Sequence, residues 1–133
     1  MSYKVTISGG TILEKCIENV AFIVDSSRNS MIITGKVDTD ESTVALYQWS
    51  LLSGTNPECY KEITVEQYQK GLLVRKVSFS KAFVIDYSEN HSNYSGAGTF
   101  TLYVRQFYNK EIEVKSEEIK PLINVISKID NKV

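Results

Sequence analysis

Thr99 to Tyr108, TFTLYVRQFY, is the stretch on which the architecture turns. Phe100, Leu102 and Val104 fall on one side of an extended chain and Tyr103, Arg105 and Phe107 on the other, the period of two that a strand imposes. β-branched and aromatic side chains suit a pleated surface, and apolar groups on both sides imply that both faces of this strand are covered. Just before it, SENHSNYSGAG (88–98) has no apolar period and is rich in Ser, Asn and Gly. It reads as a loop of roughly eleven residues, long enough to carry function.

Working outward, KAFVIDY (81–87) continues in extended form, with Phe83, Ile85 and Tyr87 expected on one side and Ser80 marking a bulge or bend before it. Ile63 and Val65 alternate between Tyr60 and Gln69, Lys70-Gly71 forms a tight turn, and Leu73, Val77 and Phe79 begin the return strand of a hairpin. Upstream the period changes. Asp38 and Glu41 have the spacing of a capping box, and VALYQWSLL follows at helical spacing until Gly54 and Pro57. One helix is expected over about 40–52. Val44, Tyr47 and Leu51 form its main stripe, widened by Leu46, Trp49 and Leu52, so that it covers an open end or one wall of a β structure.

Tyr3, Val5 and Ile7 alternate up to Gly9-Gly10, which predicts a first strand and a turn. Val20, Phe22 and Val24, the turn residues SSRNS, and then Met31, Ile33 and Val37 predict a hairpin with a loop of about five residues. Beyond Tyr108, Glu111 to Val114 extends or follows the strong strand. Residues 116–133 change character, with Ile119, Leu122, Ile123, Val125, Ile126 and Ile129 at mixed helical spacing and Pro121 placed for the first turn of a short helix. The expectation is a mainly β chain: a small barrel of about eight strands with one internal helix, and a C-terminal extension packed on the same domain.

The 133 residues suit one domain, and 42% hydrophobic with 23% charged residues is an ordinary globular balance. Fifteen basic against sixteen acidic side chains leave a net charge of -1, with no global footprint for nucleic acid or anionic lipid. Neither a signal peptide nor a segment of about 18 apolar residues is legible, so a cytoplasmic protein without a membrane span is expected. Cys16 and Cys59 lie far apart and read as small buried apolar groups.

Reactive groups are few. His91 is the only histidine and lies in a polar stretch, and one histidine with two scattered cysteines cannot make a zinc set. Asp86 and Glu89 could act as acid and base only if they share a cleft; pairing with basic groups or loop amides is the commoner role. Gly96-Ala97-Gly98 leads into a strand, with no GK[ST] and no helix, which excludes a phosphate loop. No catalytic, cofactor or metal site is expected. The eight Tyr, five Phe and one Trp suit a core or a contact surface between subunits.

ALYQWSLL (45–52), KGLLVRKVSFSKAFVIDYSE (70–89), the Ser/Asn/Gly stretch and GTFTLYVRQ (98–106), in this order, resemble the Hcp-type tube proteins of type VI secretion and the related inner-tube proteins of contractile injection machines and phage tails. The likeness is greatest to divergent versions from clostridia-like bacteria. It covers residues 17–114 in element order and is sharpest from Trp49 to Gln106.

The resemblance implies one Hcp-like barrel over 1–115 that self-assembles into stacked, usually hexameric, rings forming a hollow tube. Its partners would be sheath, baseplate or spike proteins, and the tube would be assembled in the cytoplasm and then ejected or retained in a particle. Asn90, His91, Asn93 and Tyr94 become candidates for ring stacking, and Tyr103, Arg105 and Phe107 for subunit contacts. The extension at 116–133 passes the point where many such proteins stop; it would be an added packing helix, a contact to the next ring, or the mark of a related component such as a tube initiator. A different class of function, a monomeric barrel holding a small ligand or peptide, would require a sizeable internal pocket.

Overall fold

The computed structural model describes residues 1–26, 28–37, 41, 43–94, 98–108 and 112–116. The capping residue Asp38 and the apolar extension at 117–133 lie outside them. Eight strands and one α-helix are found among the described residues. The strands are β1 (Ser2–Ile7), β2 (Thr11–Leu13), β3 (Ile17–Val24), β4 (Asn29–Lys36), β5 (Lys61–Gln69), β6 (Leu72–His91), β7 (Gly98–Gln106) and β8 (Ile112–Lys115); the helix, α1, is Val44–Ser50.

The strands form one antiparallel sheet in the order β2-β1-β5-β6-β7-β4-β3. The end strand β3 comes back close to β1, the neighbour of the other end strand β2, without a ladder between them, so the mainly β expectation is met by a curled sheet that does not close. β8 pairs with the first half of β6, Phe79 opposite Ile112, and continues the line of β7 along the same edge. The alternation read in the sequence is what fills the interior: Val5, Ile7, Ile33, Ile63, Val65, Phe79, Phe100, Leu102 and Val104 point inward and are buried. Full burial of each such side chain contributes about 1.5–3 kcal/mol.

The turns follow local chemistry. Lys70 and Gly71 both have positive φ, 53° and 77°, as a two-residue hairpin turn requires, and Gly9 and Gly10, also at positive φ, turn β1 into β2 through the three-residue connection 8–10. Asp25 closes the β3–β4 hairpin, its Oδ1 accepting the Arg28 N–H at 2.9 Å.

Four features differ from the sequence reading. α1 begins at Val44, with Thr43 at its N-cap and no side-chain cap, because Glu41 is engaged elsewhere. Its carboxylate accepts the backbone N–H groups of Glu14, Lys15 and Cys16 at 2.7, 2.5 and 2.9 Å, pinning the approach to the helix onto the β2–β3 connection. Secondly, α1 turns Leu46 and Trp49 inward, and the Trp49 indole N–H donates to the Cys59 carbonyl at 2.6 Å. Val44, Tyr47 and Leu51 remain 59%, 50% and 71% exposed.

Thirdly, the stretch 88–98, of which residues 95–97 lie outside the described ones, begins and ends in strand. Ser88, Glu89, Asn90 and His91 belong to β6 and pair with Thr101, Phe100, Thr99 and Gly98, because a backbone ladder needs no apolar period once its partner strand is fixed. Fourthly, an extra residue at Ile85, between the pairs Val84–Val104 and Asp86–Tyr103, inverts the alternation. Phe83 therefore faces outward and Tyr87 inward, instead of sharing a side.

A further irregularity of β6 lies between Leu73 and Arg75, and a third falls where Ser80 was expected to bend the chain, between Phe79 and Ala82. There the buried Gln106 side chain accepts the Lys81 N–H and donates to Ser80 Oγ, both at 3.1 Å. The groups freed by the bulge are thus satisfied by β7.

Candidate assembly surfaces

The seven candidate contact residues separate into two groups. Asn90 and His91 end β6 at the tip of the β6–β7 arm, with Asn93 and Tyr94 in the turn beyond. Tyr94 is fully exposed, and its N–H donates to Ser92 Oγ at 3.2 Å. His91 lies against Gly98, where a Cβ would collide with its ring and with Val37, so glycine is what lets the arm close at this point. His91 Nε2 is 3.1 Å from Glu89 Oε1, and the Tyr87 hydroxyl donates to the other carboxylate oxygen at 2.5 Å.

These bonds, Tyr87 first and then His91, hold the Glu89 carboxyl below its ordinary range against the opposing effect of burial. Burial, reinforced by Glu89, raises the Tyr87 phenol. Tyr87 also meets Tyr47 of α1 edge-on, with ring centroids 5.8 Å apart. Tyr47, Leu51, Ile85, Tyr87, Glu89 and His91 help to line an open hollow of about 550 Å³ beside the exposed helix stripe.

Tyr103, Arg105 and Phe107 belong to the second group, on the outer side of the sheet. Arg105 lies opposite Phe83 in the β6–β7 register and donates to the Tyr103 hydroxyl at 3.3 Å, which lowers the phenol from its ordinary range. Tyr60 meets Phe83 and Phe107 edge-on at 6.0 and 5.3 Å. Lys81 Nζ sits 4.7 Å from the Tyr60 ring centre and 4.4 Å from that of Phe107, a double cation–π contact. Arg28, Lys81 and Arg105 have no ion-pair partner among the described residues, and Arg105 Nε is shielded from solvent without a hydrogen bond. The result is a cationic aromatic patch that no element among the described residues covers.

Of this patch, the sequence pattern supplied the three β7-side residues. It missed Tyr60, Lys81 and Phe83, although Lys81 and Phe83 alternate visibly in KAFVIDY, since only the bulge at Ile85 decides which way Phe83 turns.

The acid pair does not assemble. Asp86 lies opposite the outward Tyr103 and Glu89 opposite the inward Phe100, so the two carboxylates are on opposite faces of β6 even though both residues border the same open hollow. Both cysteines are buried thiols outside any disulfide. Among the described residues no group of three or more His, Cys, Asp or Glu could hold a metal ion, and no helix is long and apolar enough to cross a membrane.

No protein-family model and no curated protein matches the chain. Solved structures do. Hcp1 from Salmonella typhimurium is 11% identical with a TM-score of 0.63, covering 86% of each chain. Hcp1 from Flavobacterium johnsoniae is 17% identical with a TM-score of 0.58, over 90% of this chain and 99% of that one. A chain of the sheath–tube complex of an extracellular contractile injection system is 9% identical with a TM-score of 0.57, over 86% and 88%. The curled eight-stranded sheet and α1 of the described residues therefore have the fold of the Hcp proteins.

Proposed function

We propose that this chain is a structural subunit of the hollow inner tube of a contractile injection or phage-tail-like machine, assembling head to tail into stacked rings, hexameric in number. The observation that carries the reading is the coincidence of the Hcp fold over nearly the whole chain with two uncovered surfaces on different sides of it: the exposed stripe of α1 with the arm tip, and the cationic aromatic patch. A ring subunit must present two unlike patches to its neighbours, and large exposed aromatic area otherwise favours uncontrolled association. On this reading Tyr103, Arg105 and Phe107 serve contacts within a ring, and Asn90, His91, Asn93 and Tyr94 serve stacking. Sheath, baseplate and spike proteins are the further partners, and the tube is assembled in the cytoplasm and leaves with the particle.

The role is structural and needs no catalyst or cofactor. The tightly filled interior favours it over a ligand-binding barrel, whose function would require an internal cavity. Light scattering and negative-stain electron microscopy over a range of concentrations test the proposal. Rings with a central hole, or stacked tubes, are expected; a monomer at every concentration, with and without the partner baseplate, would sink it.

A further inference from the structure

In the sheet order β5 and β7 flank β6 on opposite sides, but their ladders cover different lengths of it. The β5 ladder ends at the pair Lys61–Ala82, while β7 runs beside β6 as far as His91. From Phe83 to His91, therefore, β6 is paired on one side only, and no other backbone hydrogen bond among the described residues reaches this run. In an antiparallel ladder every second residue turns its N–H and C=O away from the partner strand. Those groups form an open edge within the sheet, a template for one more extended chain.

The hollow of about 550 Å³ beside α1 lies along this edge. Asp86 faces the outer side of the sheet and Tyr87 the inner, yet both line it together with Val84 and Ile85; a hollow that touches both faces follows the edge of the strand. No residue of β7 lines it, so the edge is the one that β5 leaves bare. The opposite wall is α1, through Tyr47, Ser50 and Leu51. Where β5 would run if it continued past Lys61, the molecule thus has a slot between an unpaired backbone and an exposed apolar helix stripe.

The slot is acidic. Asp86 is exposed and has no ion-pair partner among the described residues, the Glu89 carboxylate is held in place by Tyr87 and His91, and no lysine or arginine lines the hollow. The strands that end the sheet, β2 (TIL) and β3 (IENVAFIV), hold no lysine or arginine either, and β3 brings a like charge, Glu18. A second copy's sheet edge is therefore a poor match. A bulge and a carboxylate on an edge deter apolar strands and still admit a basic one. We infer that the open edge of β6 is a docking slot for an extended, basic and apolar segment of a different protein. Backbone pairing with β6 supplies the affinity, Tyr47, Leu51 and Ile85 receive the apolar side chains, and Asp86 with Glu89 receives the lysines or arginines. The inference does not rest on the tube reading, which concerns copies of this chain.

The test is fluorescence anisotropy of a labelled peptide of alternating lysine and valine, as long as the open run, titrated with the full chain. Two further forms of the peptide are N-methylated on the lysine amides or on the valine amides. Alternate amides of a strand point to opposite sides, so one methylated form should lose binding and the other keep it. Asp86→Lys should weaken binding of the unmodified peptide about tenfold, and because Asp86 is exposed the variant keeps its fold, which circular dichroism checks. Hydrogen exchange of the amides in residues 83–91 should slow when the peptide is added. No binding of the unmodified peptide overturns the inference, as does the same behaviour of both methylated forms. Equal binding to a folded Asp86→Lys variant, equal binding of a glutamate–valine peptide, or unchanged exchange at 83–91 does so too.

Discussion

The two faces of β7 carry similar amounts of aromatic and apolar area and meet opposite fates. On the inner face Phe100, Leu102 and Val104 are at most 1% exposed, locked between β4, β6 and the helix. On the outer face Tyr103 and Arg105, continued by Phe107, hold one another and Tyr60, Phe83 and Lys81 by ring edges and cation–π contacts, with no element among the described residues above them. Close packing from all sides gives an inner side chain its large energetic weight, whereas an outer one gains most of its weight only when a partner covers it. Stability should therefore be written on one face and assembly on the other.

Phe100→Ala probes the inner face and should have the largest effect, a loss of about 3–5 kcal/mol in the unfolding free energy measured by urea denaturation, with the secondary structure still formed at low denaturant. A loss below about 1 kcal/mol would break the contrast. Gln106→Leu tests the polar member of the same row. It keeps the volume but leaves the Lys81 N–H without its acceptor at the bulge, and should cost about 1–3 kcal/mol.

Glu41→Gln asks whether a part-buried polar anchor outside the sheet behaves like the inner face; it should cost about 1–2 kcal/mol at neutral pH. Burial raises the Glu41 carboxyl, but the N–H bonds from Glu14, Lys15 and Cys16 outweigh it and leave the group below its ordinary 4.5. A depressed folded value means the contribution is full above about pH 4.5 and is lost as the pH falls through that folded value. The stability difference between wild type and Glu41→Gln should accordingly shrink on acidification, and a difference that stays constant to pH 3 would contradict the anchor.

Arg105→Glu should change the stability of the monomer least, by less than about 1 kcal/mol, since the side chain has no ion pair among the described residues to lose. Rings should nevertheless fail to form. If Arg105→Glu unfolds the monomer, the outer face is a second core; if rings persist, the ring contact lies elsewhere.

How far this contrast was legible in the sequence depends on the kind of information each residue holds. The inward row of β7, the Lys70-Gly71 turn and the bulge near Ser80 are local matters of period and backbone freedom, and the pattern displayed them. Other features are decided at a distance. The short β2 has only three residues, too few to show a period, and exists because β1 offers it an edge. Ser88 to His91 look like loop residues and are held as strand by Gly98 to Thr101. Leu46 and Trp49 turned inward in α1, rather than the more regular stripe of Val44, Tyr47 and Leu51, because the Cys59 carbonyl and the sheet interior await the indole. For the candidate contact residues, composition pointed to an aromatic surface, but only the extra residue at Ile85 put Phe83 beside Arg105.

β6 runs for twenty residues and shares ladders with β5, β7 and β8. The order of events during folding follows from that sharing. While the chain is being synthesised, β1 can meet β5 once Gln69 has emerged, closing a span of some sixty residues between Val5 and Val65. The β3–β4 hairpin must wait somewhat longer still, because its partner β7 lies some seventy residues beyond Met31. Until β7 arrives, the second half of β6 has no neighbour, and an unpaired strand of that length invites association between unfinished chains. Refolding of the released monomer should accordingly be a slow, concerted step of milliseconds to seconds, readable by stopped-flow fluorescence of the single tryptophan.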